Sequence, residues 1–395
     1  MTCRCLSLRT LAALLFTCTS LALASHAQRI VDLTAADGTK LKATYFSAAK
    51  PGSGVLLLHQ CNAQGRKVWD GLAQQLTAAG INVLTLDYRG FGESGGEPFD
   101  KLPPERMAQI QAEKWPGDFD TAFQYLVSHT GVTRDRIGVG GASCGVNNSV
   151  QMARRHPEVK SLVLLSGSTD LNGREFLRHS ATVPVFFSVA DDDQFPPTVQ
   201  AIEWLYSLTS NRRKRFVHYA TGGHGADMFT VHPELQGIIV DWYVSTLIRT
   251  PVQAPDTKDA PPISPESHVL DEIDQPSGAA KVGQLLEEAR KRDPKATLFS
   301  EAMVNLVGYD HIHSGDTKGA VEIMKLNVAA YPNSPNVYDS LSDAYLADGQ
   351  KKLARENARR VLELLPSDTT DNEQRRNGIR ANAEQKLKQL GDVQQ

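Results

Sequence analysis

The sequence predicts an α/β fold, a doubly wound and mostly parallel sheet covered on both faces, followed by an all-α domain of repeated helix pairs. Three observations carry this. From residue 54 to 249 continuous apolar runs alternate with amphipathic helical stretches, as expected for strands buried on both faces. A proline-rich stretch, residues 250–278, then breaks the pattern. Beyond it Gly315 recurs as Gly349, Ala320 as Ala354 and Pro332 as Pro366, each 34 positions on, a period that marks stacked helical units.

The chain begins with Arg4 and Arg9, an apolar core over 11–24, and small residues at Ala22, Ala24, Ser25 and Ala27. This reads as a secretory signal peptide, residues 1–27, with cleavage after Ala24 or Ala27. The core is too short for a transmembrane span, and no other apolar run reaches that length. The expectation is an exported protein, periplasmic or secreted. The 395 residues allow two domains, and a net charge of −3 offers nothing to nucleic acid. Cys3, Cys5 and Cys18 fall within the signal, leaving Cys61 and Cys144. Export would permit that pair to oxidise, but the reading favours two buried, inert thiols.

The α/β domain is expected over 28–249. It opens with a hairpin over 29–46 turning at Asp37-Gly38. Strands follow over 54–59, 81–87, 136–140, 161–166, 183–190 and 215–219, with helices over 68–79, 117–129 and 146–156. The basic run Arg212-Arg213-Lys214-Arg215 reads as a solvated helix end or a strand start. In the linker, Pro251, Pro255, Pro261, Pro262, Pro265 and Pro276 are expected to interrupt regular structure. In the helical domain, 279–395, paired helices are expected over 302–314 with 318–330 and over 337–348 with 351–364. Helices over 279–292 and 378–390 would cap them.

Chemistry concentrates at Gly141-Ala142-Ser143-Cys144-Gly145, between a strand and a helix. Small residues two before and two after a serine permit a sharp turn that exposes the hydroxyl. Gly138-x-Gly140 also suggests a dinucleotide loop, but the third glycine of that fingerprint would fall at Ser143 and no ribose-binding acid follows at the right distance. Shifting the nucleophile to Cys144 would place Ala142 and Val146 where the elbow needs glycine. Ser143 is therefore the expected nucleophile.

A serine hydroxyl needs a base and a carboxylate that orients it. His224 lies between Gly223 and Gly225, which let its loop approach the elbow. His218 and His232 are the fallbacks. The acid falls in Asp191-Asp192-Asp193, with Asp193 favoured and Asp170 an outside candidate. The order serine, acid, histidine suits this sheet type. Two backbone amides must hold the oxyanion: that of Cys144, and one from the loop after residues 55–58, where Cys61 is favoured over Gln60. No cofactor or metal is expected.

These segments, with Asp87-Tyr88-Arg89-Gly90-Phe91-Gly92-Glu93-Ser94 and Asp193-x-x-x-Pro197, resemble the α/β-hydrolase superfamily over about residues 30–249. The likeness is to its dienelactone-hydrolase-like and small esterase branches. It implies that the turn over 87–94 is structural and shapes the pocket floor. It also implies that the short segment 167–182, where lids are commonly inserted, leaves the site with little or no lid, residues 95–117 covering one side instead. The sequence departs from that pattern twice: serine replaces the cysteine nucleophile of dienelactone hydrolases, and the usual His-Gly dipeptide reads His59-Gln60. The tail resembles tetratricopeptide repeats, including the stretches 327–332 and 338–345.

The leading reading is an exported serine hydrolase cleaving small-molecule carboxylic esters. A serine peptidase of the prolyl-oligopeptidase kind is the second, though the chain shows no propeller and no acidic anchor for an amino terminus. The third is a repeat-based interaction module with a vestigial hydrolase domain, which an intact triad argues against. The repeats would offer a groove for a partner protein or for self-association.

Overall fold

The computed structural model describes residues 28–48, 51–129, 131–195, 197–249 and 264–391. The expected signal peptide and the stretch 250–263 lie outside the described residues.

Eight strands form one sheet: β1 (Gln28–Thr34), β2 (Lys40–Phe46), β3 (Gly52–Leu58), β4 (Asn82–Leu86), β5 (Val132–Ala142), β6 (Val159–Leu165), β7 (Val185–Ala190) and β8 (Lys214–Tyr219). The spatial order is β1-β2-β4-β3-β5-β6-β7-β8. β2 runs antiparallel to β1 and β4, and the remaining neighbours are parallel. The chain steps one way from β3 to β4 and the other way to β5. The carboxyl ends of β3 and β5 therefore flank a topological switch point, where such sheets bind ligands.

The helices are α1 (Asp70–Ala78), α2 (Pro104–Glu113), α3 (Trp115–His129), α4 (Cys144–Arg155), α5 (Leu171–His179), α6 (Thr198–Leu208), α7 (Met228–Val231) and α8 (Glu234–Tyr243). Alternate residues of β3 feed opposite faces. Leu56 and Leu58 pack with Phe119, Phe123, Val146 and Val150 of α3 and α4. Val55 and Leu57 pack with Leu72 and Leu76 of α1 and Trp242 of α8. The Gly138 and Gly140 pair serves this packing. A Cβ at Gly138 would lie 2.5 Å from the Tyr243 ring, and one at Gly140 would lie 2.8 Å from its hydroxyl.

The basic run does begin a strand, β8, but Lys214 is not solvated. Its ammonium donates to the carbonyls of Tyr206 (2.6 Å), Ser207 (3.3 Å) and Thr209 (2.8 Å) at the end of α6, a favourable place for a cation. Burial lowers its pKa.

Beyond residue 263 come α9 (Pro265–Ile273), α10 (Gly278–Arg292), α11 (Glu301–His313), α12 (Thr317–Ala330), α13 (Pro335–Ala347), α14 (Lys351–Leu364) and α15 (Glu373–Gln389). The helix α9 corrects the expectation that prolines interrupt all of 250–278. Pro265 occupies its first turn and the Ser264 side chain accepts from the Ser267 N–H, a position where proline costs nothing. The 34-residue period has a structural counterpart. Asp316 N–H returns to His311 O (2.9 Å) after α11, and Gln350 N–H returns to Tyr345 O (2.8 Å) after α13, so each helix ends in the same glycine-closed turn.

This domain shares the core of the sheet domain: Leu270, Ile273 and Val282 belong to the same buried cluster as Trp204 and Leu205 of α6. A buried ionic knot fixes the contact. Arg174 on α5 donates to both Asp274 oxygens (3.0 and 2.6 Å) and to Asp310 (2.5 Å). Arg178 adds Asp271 (2.8 Å) and Asp274 (2.6 Å), and His311 bridges Asp274 (3.2 Å) and Asp316 (2.8 Å). Burial works to raise the Asp274 carboxyl, yet Arg174, His311 and Arg178 hold it well below the usual carboxylate range. Among the described residues no helix is long and apolar enough to cross a membrane.

Candidate active site

Ser143 sits between β5 and α4 with φ 55° and ψ −122°, a conformation that costs about 1–3 kcal/mol and persists only where the surroundings enforce it. Here they do. A Cβ at Gly141 would lie 2.0 Å from Gly145 O, and one at Gly145 would lie 2.4 Å from Leu58 O. The turn is thus pressed against the end of β3.

The three adjacent aspartates have separate partners. Asp191 accepts from His218 (2.7 Å), Asp192 accepts from Gly223 N–H (2.8 Å), and Asp193 meets His224 Nδ1 through both oxygens (2.9 and 2.8 Å). The Asp193 side chain is fully buried and also accepts from Phe195 N–H (2.9 Å). With its proton held on Nδ1, the imidazole presents Nε2 as an acceptor. His232 is engaged elsewhere, with Thr221 O (2.8 Å) and Glu234. Asp170 caps α5 through Gly173 N–H (2.8 Å) and takes Gln151 Nε2 (2.8 Å). Ser143 and His224 line one cleft of about 830 Å³. Among the described residues no hydrogen bond joins them, a link that commonly tightens only around substrate.

The loop after β3 is pinned at three places. His59 is buried and stacks on Tyr88 with ring centroids 3.8 Å apart. Burial lowers its pKa to about 4, so it is neutral. Its Nε2 accepts from Tyr88 N–H (3.2 Å), which puts the proton on Nδ1, and Nδ1 donates to Gln60 O (2.6 Å). The amide of Gln60 reaches across to the loop that carries His224. Its Oε1 accepts from Ala226 N–H (2.8 Å) and its Nε2 donates to Asp227 (3.1 Å). A Cβ at Gly225 would lie 2.4 Å from Gln60 Oε1, so glycine beside His224 is what admits this contact. The third pin is covalent: Cys61 and Cys144 form a disulfide, with Cα atoms 5.9 Å apart. This corrects the expectation of two inert thiols. The backbone amides of Gln60, Cys61 and Cys144 donate to no protein group among the described residues.

Two implied features are corrected. The turn over 87–94 is structural, since Asp87 pairs with buried Arg66 and the Ser94 hydroxyl donates to Asp87 O (2.7 Å). It does not line the Ser143 cleft; through Tyr88 it braces His59. The cleft is also walled on more sides than the likeness implied. The α2–α3 region covers one side with Ala108, Trp115 and Phe119, as the segment 95–117 suggested, and α11 adds Leu306, Asp310 and His313 opposite. Burial raises the Asp310 carboxyl to about 6 despite Arg174. Nothing in the repeat pattern signalled that α11 would reach the site. Gln60 was legible only as a departure from His-Gly. Among the described residues no cluster of three or more histidine, cysteine, aspartate or glutamate side chains could hold a metal ion.

The sequence profile of the alpha/beta hydrolase fold matches residues 54–182. The chain is 25% identical over 145 residues to a thiohydrolase of Aspergillus aculeatus, covering 37% of this chain and 43% of that protein. It is 32% identical over 146 residues to an uncharacterized protein of Mycobacterium tuberculosis, covering 37% and 47%. It thus spans less than half the length of these relatives. Among solved structures it is similar to an esterase of Pyrococcus furiosus, at 18% identity and a TM-score of 0.46, covering 56% of this chain and 92% of that one. A dienelactone hydrolase of Anabaena variabilis gives 18% and 0.42, covering 56% and 98%. With its sheet order, its switch-point site and the match over 54–182, the N-terminal domain of this chain has the α/β-hydrolase fold.

Proposed function

We propose that this protein is an exported serine hydrolase that cleaves small-molecule carboxylic esters. The observation that carries the reading is the buried Asp193–His224 pair lining the same cleft as the strained Ser143. Ser143 attacks the acyl carbon while His224 Nε2 takes its proton. Asp193 holds the imidazole and stabilises its charged form. The amides of Cys144 and Cys61 take the oxyanion. His224 then protonates the leaving alcohol, and water enters by the same route to release the acid. The Cys61–Cys144 disulfide supports export, because such bonds persist in oxidising compartments.

The helical domain acts in this reading as a substrate-selecting wall, since α11 lines the cleft. Docking of a partner protein or a second copy on its repeats is the alternative role. Similarity to a thiohydrolase is a reason to try thioesters beside oxygen esters, because both would pass through the same acyl-enzyme. The test is a panel of p-nitrophenyl esters, acyl thioesters and aminoacyl arylamides. Turnover of esters with none of arylamides is expected. Preference for arylamides would replace this reading with a peptidase.

A further inference from the structure

We propose that the Cys61–Cys144 disulfide is a positioning bond for the oxyanion hole, so that the enzyme is competent when this bond is oxidised and impaired when it is reduced. The inference rests on the serine-hydrolase reading above and concerns what aligns its two amide donors.

The bond joins the side chains of the two residues whose amides are assigned to the oxyanion, across 83 positions of sequence. Cys144 follows the nucleophile directly, and its place is dictated by the elbow. Cys61 has no such constraint from regular structure. It lies beyond the end of β3, in a loop that continues through half-buried Asn62 to exposed Ala63 and Gln64. Its neighbours are each held from one side: the His59 carbonyl by the Tyr88 hydroxyl (2.7 Å) and the Gln60 side chain by Ala226 and Asp227. The Gln60 carbonyl accepts from His59 Nδ1 (2.6 Å) and Asn62 N–H (2.7 Å). Because a trans peptide sets C=O and N–H on opposite sides, this sends the Cys61 N–H the other way. What remains is the distance between that N–H and the elbow, and the disulfide sets it. Oxyanion donors act only when held where the charge develops.

Both cysteines are half-buried rather than sealed in the core, so a small reductant can reach them. A thiolate of a dithiol attacks one sulfur, the S–S bond breaks, and a mixed disulfide forms. The second thiol of the reductant closes its own ring and releases the remaining protein thiolate. Two electrons pass to the protein, giving two cysteine thiols and one oxidised dithiol.

The test follows the rate at which a fluorophosphonate modifies Ser143 in the full-length protein, oxidised, reduced with dithiothreitol, and as Cys61→Ser. Alkylation counts the free thiols and far-ultraviolet circular dichroism monitors the fold. With the fold retained, reduction and Cys61→Ser should each slow labelling at least tenfold, towards the roughly 10²–10³-fold typical of a lost oxyanion donor. For a cleaved ester, kcat should fall while KM stays within about twofold, and reoxidation should restore both rates. Equal labelling rates in the three forms would overturn the proposal while leaving the hydrolase reading intact. So would a loss that merely tracks unfolding. An oxidised protein that is not labelled at all would overturn the hydrolase reading and this inference with it.

Discussion

Replacing Gln60 with glycine restores the His-Gly dipeptide common among similar hydrolases, and it should impair this one. Gln60 is 2% exposed, and its side chain supports the His224 loop twice, through Ala226 N–H at 2.8 Å and Asp227 at 3.1 Å. Losing the first leaves a buried donor unpaired, a cost of about 1–3 kcal/mol. The second, to a half-buried carboxylate, adds at most about 1 kcal/mol once solvent screening is allowed for. The larger effect should be on rate. His224 lies two residues from Ala226, and a displacement of about 1 Å in a catalytic group can cost about 10²-fold. Gln60→Gly should therefore lower kcat by roughly 10- to 100-fold and shift KM little, with a loss of about 1–4 kcal/mol in urea unfolding. Gln60→Glu keeps an acceptor for Ala226 but faces Asp227, and should fall between. The assay is kcat and KM on a p-nitrophenyl ester the wild type cleaves, with unfolding measured in parallel. If Gln60→Gly loses stability but keeps kcat within twofold, the clamp is structural only and the argument fails.

Three further outcomes are expected. Arg174→Met leaves the buried Asp310 without its cation and Asp274 with only Arg178 and His311, so denaturant unfolding should show a loss of about 3–5 kcal/mol; a loss under about 1 kcal/mol would mean the knot does not hold the domains together. His311 is pulled down by burial, but its bonds to Asp274 and Asp316 outweigh this and also the opposing charge of Arg174, so its pKa lies above the ordinary 6.5. A raised histidine pKa stabilises the fold fully below the ordinary value and ceases to do so as pH rises through the folded one. The stability gap between wild type and His311→Gln should thus be wider at pH 5.5 than at pH 9, and a gap independent of pH would contradict it. Leu306→Trp adds bulk to the α11 wall, so the ratio of kcat/KM for a decanoate to that for an acetate ester should drop about tenfold or more. An unchanged ratio would remove α11 from substrate selection.

Much of this was legible in the sequence because it is local. The sharp turn at Ser143 follows from glycines two positions either side, and the strand run that buries Val55 to Leu58 shows as a continuous apolar stretch. The 34-residue period likewise reappears as matching turns after α11 and α13. Adjacency hid the choice among Asp191, Asp192 and Asp193, which the fold separates by giving each a different partner. What could not be read depends on residues far apart in the chain. Arg174 and Asp274 are 100 positions apart, and neither carries a motif. The Gln60 to Ala226 contact spans 166 positions and appears in the sequence only as an unexpected residue after His59. Pairing of Cys61 with Cys144 required the end of β3 to meet the elbow, a fact of strand order and not of spacing.

The central claim is that Ser143 is a nucleophile activated by His224 and oriented through Asp193. It is tested most directly by treating the protein with a fluorophosphonate and locating the adduct by peptide mass mapping. The account predicts one adduct, on Ser143, lost in Ser143→Ala and strongly slowed in His224→Ala and Asp193→Asn. No labelling of the folded, oxidised protein, or labelling that survives Ser143→Ala, would contradict it.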